Sequence, residues 1–183
     1  GVSNRRLKNS NEAISVLEMG IEFVVDNEML LLEFYSSLAD IYHTAGNNSA
    51  SDSLYEKVLS IDPENVLVLN NYAYYLSVRK VKLGKAEEMS LKCNELEKEN
   101  GTYQDTYAWI LYQLSEYEKA REWIQKSLAN GSDSSAVVVE HYGDILYQLG
   151  ETENAIVQWK KAQELGEASN FLIQKIEEGK LYE

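Results

Sequence analysis

A pair of adjacent residues, one large and one small, returns along the chain at an almost fixed interval. It reads Leu38-Ala39, Tyr72-Ala73, Tyr107-Ala108 and Tyr142-Gly143, so the small residue recurs after 34, 35 and 35 residues (39 to 73, 73 to 108, 108 to 143). A period of this length restricts the fold to units that stack, because one unit of about 35 residues cannot bury its own apolar face. Each pair has a large apolar residue three positions on, at Tyr42, Leu76, Leu111 and Leu146. One helical turn back stand Tyr35, Leu69, Gln104 and Val139. These offsets trace one stripe of a helix. Gln104 is polar where the other repeats carry a bulky apolar side chain, so looser packing is expected around it. Val137 to Val139 favour strand on propensity, but the register puts Val139 on the helical stripe.

A second stripe follows each first one, with the order small, large, small at i, i+4 and i+7. It reads Ser51-Tyr55-Val58, Ala86-Ser90-Cys93, Ala120-Ile124-Ser127 and Ala155-Trp159-Ala162, Ser90 being the exception to the order. Small residues let two antiparallel helices approach closely while a large side chain of the partner helix fills the adjoining gap. Turn residues separate the two helices of a pair at Gly46-Asn47-Asn48, Leu83-Gly84-Lys85, Ser115 and Gly150. Stops and caps between pairs are expected at Asp62-Pro63-Glu64-Asn65, Glu99-Asn100-Gly101 and Gly131-Ser132-Asp133. Ala73 to Ala86 is 13 residues where the other repeats use 12, which places one extra residue in the inner turn around Val81 to Lys85.

The phrases Asn70-Asn71-Tyr72-Ala73, Asp105-Thr106-Tyr107-Ala108-Trp109 and His141-Tyr142-Gly143-Asp144, set in this period, resemble the tetratricopeptide repeat family. They look most like the C-terminal repeats of bacterial members, some of them lipoproteins of the cell envelope. The resemblance implies an all-α, right-handed superhelical solenoid of antiparallel helix pairs with a concave groove. Repeats fall at 32–65, 66–100, 101–135 and 136–166. Before them Ala13-Leu17-Gly20 repeats the second-helix stripe without a first helix, giving the helix of a partial repeat at about 10–26 and predicting a longer parent protein. Past Gly166 the register puts Gln174, Glu177 and Glu178 on core positions, so a further repeat does not follow. Phe171, Leu172 and Ile176 instead form one apolar edge, which predicts a capping helix at 168–179 and a single array over 1–183. By resemblance the setting is the cell envelope or periplasm, with the cytoplasm left open.

Thirty acidic against 17 basic residues give a formal net charge of −13. That balance excludes the basic footprint of a nucleic-acid binder and disfavours anionic membrane surfaces. The longest apolar runs, Met29 to Leu32 and Ala136 to Val139, are far too short for direct membrane insertion. Cys93 is the only cysteine and sits on a second-helix stripe, so it reads as a small packing residue. Asp40 with His43, and Glu140 with His141 and Asp144, have spacings that allow weak metal ligation, but carboxylates on a helix are usually its solvated or groove-facing side. No phosphate loop, nucleophile elbow or zinc helix is present. The chain is read as a non-enzyme without cofactor or metal.

One residue after each first-helix anchor runs another stripe, turned by about 100°. By the resemblance it lines the groove. It reads Ser36, Asp40, His43; Asn70, Tyr74, Ser77; Asp105, Trp109, Tyr112; and Glu140, Asp144, Tyr147. None is Lys or Arg, so the carboxylate clamp with which related domains grip acidic chaperone tails is missing. Aromatic surface beside carboxylates suits a protein or peptide segment carrying basic and apolar residues. A deeper row, Ser37, Asn71, Thr106 and His141, either hydrogen-bonds a peptide backbone or satisfies its own helices. Trp109 either meets a partner or wedges between adjacent first helices. The reading is a protein-binding scaffold. Self-association and a substrate-presenting region of an enzyme encoded upstream are the alternatives.

Overall fold

The computed structural model of the chain describes residues 2–166 and 169–182. Ten α-helices run through them, and no strand occurs among the described residues: α1 Val2–Phe23, α2 Glu28–Thr44, α3 Asn48–Ile61, α4 Val66–Val78, α5 Leu83–Leu96, α6 Gly101–Gln113, α7 Tyr117–Ser127, α8 Ala136–Gln148, α9 Thr152–Leu165 and α10 Leu172–Glu178. The chain divides into two compact units, Gly1–Tyr72 and Ala73–Glu183, with the division inside α4.

In the first unit α2 packs on α3 and α1 on α2. Leu38 and Ala39 of α2 and Tyr55 and Val58 of α3 are buried in this core, Ala39, Tyr55 and Val58 wholly so. Tyr55 stacks on Tyr72 with ring centroids 5.3 Å apart. The Tyr72 hydroxyl donates to Glu56 Oε1 at 2.9 Å. The helix expected at about 10–26 is α1, which starts eight residues earlier and ends at Phe23. It stops there because Asn27 opens α2, its Oδ1 accepting from the Leu30 amide at 3.2 Å; such a cap is worth about 1 kcal/mol.

In the second unit α6 packs on α7 and α8 on α9, each pair antiparallel by its short turn. Asn100 caps α6, its Oδ1 accepting from Thr102 and Tyr103 at 3.1 and 3.3 Å. The cap of α8 is Ser135, accepting from Val138 at 3.4 Å, not the expected Gly131-Ser132-Asp133. The latter stretch lies in a wide turn over Leu128–Ser132, where Gly131 takes φ +94°. The inner turns show where the extra residue went. Ser115 and Gly150 each supply one left-handed residue, whereas the turn between α4 and α5 uses two, Lys80 at φ +55° and Lys82 at φ +48°.

Gln104 contradicts the expectation of loose packing. It is 2% exposed; its Nε2 donates to the Lys98 carbonyl at 2.8 Å and its Oε1 accepts from Asn130 at 2.9 Å. An amide with both functions bonded ties the start of α6 to the wide turn as firmly as an apolar side chain would. Cys93 is wholly buried in α5. Burial, with Glu97 nearby, pushes its thiol up to about 12, so it stays protonated and packs. Tyr142, the large residue of the fourth pair, is half-buried, and its hydroxyl accepts from Gln125 at 3.0 Å.

Ala108 and Gly143, the small residues of the two later pairs, are fully or almost fully buried. Trp159, wholly buried, fills the space over Gly143. A Cβ at Gly143 would stand 2.4 Å from Trp159 Cδ1 and 2.5 Å from Nε1. Gly143→Ala gains about 1 kcal/mol of helix propensity but overpacks the α8–α9 seam, which costs about 1–3 kcal/mol. Urea unfolding should show a net loss of stability, up to about 2 kcal/mol. A variant more stable than wild type would mean that the helices are not nested this closely.

Candidate functional site

The second unit holds a cavity of about 630 Å³ between the C-terminal half of α4, α6, α8 and the segment carrying α10. Tyr74 and Val78 of α4, Trp109 of α6, Val137 of α8, and Phe171 and Tyr182 of the C-terminal segment supply its apolar and aromatic walls. Glu140, His141 and Asp144 of α8 supply its polar side. The 3.6-residue turn brings these three to one side of α8. Burial, with Asp105 as a second cause, raises the Tyr74 hydroxyl above its ordinary range, so it enters as a neutral donor.

Trp109 lies flat between two rings. Its centroid is 4.7 Å from Tyr112 at 8° and 4.1 Å from His141 at 17°. It therefore wedges between α6 and α8 and also exposes part of itself to the cavity. Tyr112 is turned into the core, 3% exposed, with its hydroxyl accepting from Gln148 at 3.3 Å. His141 Nδ1 is 2.9 Å from Asp105 Oδ1. Burial opposes its positive charge, but Asp105, with Asp144 and Glu140 behind it, outweighs burial and raises the imidazole above its usual range. Thr106 is buried and donates to the Thr102 carbonyl at 3.3 Å, so its hydroxyl satisfies its own helix. Tyr147 is half-buried against Trp159, with centroids 5.8 Å apart.

The carboxylates of α8 are engaged from within the chain. Lys175 of α10, 2% exposed, places Nζ 2.8 Å from Glu140 Oε1 and 2.8 Å from both Asp144 oxygens. Ser169 gives its amide to Glu140 Oε2 at 2.7 Å and its hydroxyl to Oε1. Trp159 Nε1 donates to Asp144 Oδ1 at 2.8 Å. Burial pushes the Glu140 carboxyl up, yet the bonds from Lys175 and Ser169 hold it below its usual range. For Asp144 burial prevails over the same lysine and pushes the carboxyl up to about 6. One ammonium cannot fully compensate two buried carboxylates, and the cost falls on the second.

Ser77 is wholly buried and donates to the Tyr74 carbonyl at 2.6 Å; the remaining sequence-predicted positions belong to the first unit. Ser36 is half-buried and donates to the Leu32 carbonyl at 2.8 Å. Asp40 accepts from the Tyr55 hydroxyl. His43 is half-buried on α2. Asn70 is buried and donates to the half-buried Asn71 at 3.4 Å. Ser37, taken as part of the deeper row, is exposed.

Sequence reasoning missed Lys175 and Ser169. The available signal was the pair Glu140 and Asp144, one turn apart on a largely apolar helix, because a buried carboxylate pair demands a cation. Cations also enter the cavity wall, at Lys80 and Lys175, although the first-helix stripes carry none. At the predicted capping helix, Ala168 lies outside the described residues; α10 itself spans Leu172–Glu178 and buries Leu172 and Lys175, while Phe171 is 42% exposed. Among the described residues no three His, Cys, Asp or Glu side chains form a metal-holding group, and no helix is long and apolar enough to cross a membrane.

Residues 21–166 match the family model described as tetratricopeptide repeat. The type IV pilus assembly protein PilF of Pseudomonas aeruginosa is 27% identical over 119 residues, covering 64% of this chain and 46% of that protein. Its solved structure aligns with TM-score 0.65 at 19% identity, over 95% of this chain and 88% of that one. An uncharacterised protein, ycf37 of Pyropia yezoensis, is 36% identical over 80 residues, covering 43% of this chain and 44% of that protein. The chain thus spans less than half the length of these two curated relatives. The solved structure of TTC0263, a tetratricopeptide protein of Thermus thermophilus, has TM-score 0.73 at 15% identity, over 98% of this chain and 94% of that one. Tetratricopeptide repeat proteins commonly mediate protein–protein interaction and are generally non-catalytic, and this chain belongs to that family.

Proposed function

We propose that the chain is a non-catalytic scaffold that holds a segment of a protein partner in the cavity of its second unit. The observation that carries the reading is the wall of Tyr74, Val78 and Trp109 across the cavity from the carboxylate-bearing side of α8. An aromatic wall contributes binding energy through apolar anchors, and rigid rings lose little side-chain entropy when they are covered. The net charge of −13 raises the encounter rate with basic segments and lowers it with acidic ones. The partner segment accordingly carries apolar anchors flanked by Lys or Arg. The match to a pilus assembly protein supports a cell-envelope setting.

A second reading, self-association, is favoured by the apolar residues left exposed around α1 and the start of α2. Phe23 is 86% and Met29 75% exposed, with Val16, Met19 and Val25 each more than half exposed. Clusters of this kind mark contact surfaces on soluble proteins. Sedimentation from micromolar to millimolar concentration should give a concentration-dependent mass for wild type that Phe23→Ser suppresses; a strict monomer throughout ends this reading.

Selection of a displayed peptide library on the purified chain tests the favoured one. Retained peptides should pair Lys or Arg with aromatic or aliphatic anchors. Tyr74→Ala and Trp109→Ala, checked to melt cooperatively, should bind them about tenfold or more weakly. Enrichment of acidic peptides, or equal binding by both variants, contradicts the proposal.

A further inference from the structure

The end of the cavity formed by Glu140 and Asp144 has a property the rest lacks: it is covered by a cation from within the chain. Both carboxylates are 3% exposed, and among the described residues the cation that ion-pairs with each of them is Lys175. A buried ion pair adds little stability over a well-packed apolar substitute, but removing one partner leaves an uncompensated buried charge at high cost. Any segment that covers the carboxylate pair therefore has to bring a cation to it.

Apart from Lys175, the present occupant is held by the Ser169 bonds to Glu140 and by Leu172, which packs with Val139, Leu146 and Trp159. α10 has only seven residues, and a helix that short is not stable by itself in water. It buries Leu172 and Lys175, half-buries Ile176, and leaves Ile173 59% exposed. Its lysine also lies 5.9 Å from the Trp159 ring centroid, close enough for a cation–π contribution. The segment thus displays what the cavity selects: an ammonium flanked on one helix face by an apolar residue three positions before and one position after. The same segment supplies Phe171 and Tyr182 to the cavity wall.

We infer that Glu140 and Asp144 form a lysine seat which Lys175 fills from within the chain, and that a partner segment engages it by exchange, bringing its own lysine as residues 169–182 leave. The inference rests on the partner-binding reading above and names the group recognised: a primary ammonium on a helical segment with apolar neighbours. A replacing segment without a cation would bury the pair uncompensated, so the segment that takes the place of α10 must bring one. The C-terminal segment is a resident competitor that sets the threshold a partner must exceed.

The probe is a labelled peptide of residues 169–182, offered to the purified chain of 183 residues. Wild type should take it up weakly, because its own copy competes. Lys175→Ala, whose seat lacks a cation, should bind it at least tenfold more tightly, and the same peptide with Lys175 replaced by Ala should not bind. Lys175→Arg, which restores the charge, should return binding to the wild-type level. Should Lys175→Ala not fold, Leu172→Ala keeps the lysine while loosening α10 and should raise uptake several-fold. Equal uptake by wild type and a folded variant, or uptake independent of the peptide's lysine, overturns the exchange. If library-selected peptides then still need Tyr74 but bind wild type and Lys175→Ala alike, the cavity keeps its partner and only the seat is lost.

Discussion

Close nesting of small residues against large ones across each helix pair is the constraint on which the remaining structure depends. Ala39 lies buried with Tyr55 in the first unit, Ala108 with Ile124 in the second, and Gly143 directly under Trp159. Only helices that approach so closely can turn the same face of successive first helices to one side. That common face brings residues 35 positions apart, Tyr74, Trp109 and Asp144, to one cavity. Trp159 links the two roles, since the ring that fills the α8–α9 seam also donates to Asp144 on the cavity side. A change in packing there is a change in the site.

Much of this was legible in one dimension. The alternation of two helical stripes located the helix pairs, and the spacing of 13 residues from Ala73 to Ala86 anticipated the turn that needs two left-handed residues, Lys80 and Lys82. The family match agrees with the reading from the recurring pair. What periodicity could not convey were interactions between elements of different register. Gln104 looked like a packing defect because its stripe position was polar, yet Lys98 and Asn130 satisfy both ends of its amide. Tyr112 followed the outer stripe but is covered by Trp109, because a large ring can lean across the helix surface. Lys175 was invisible to a search for apolar edges, since a lysine occupies such an edge only when carboxylates await it.

The electrostatic picture changes accordingly. Read from the stripes, the site is a row of carboxylates waiting for a basic partner. In the folded unit Asp105 is paired with His141, and Glu140 and Asp144 share Lys175. The charges are paired but not fully compensated, so on the proposed reading affinity comes from the aromatic wall, while charge decides which segment is accepted at the α8 end. The two carboxylates still differ, with Glu140 held below its ordinary range and Asp144 raised above its own. Asp144, the incompletely compensated one, is the more sensitive to what replaces the lysine.

The claim that a partner lies on the face of α6 and α8 is tested most directly by hydrogen exchange on the chain with a bound library-selected peptide. The account predicts slower exchange over α6 and α8, at residues 104–112 and 138–147, together with faster exchange over α10 at 172–178. Protection confined to α1 and α2, or to the outer helices α5, α7 and α9, with α10 unchanged, would contradict it.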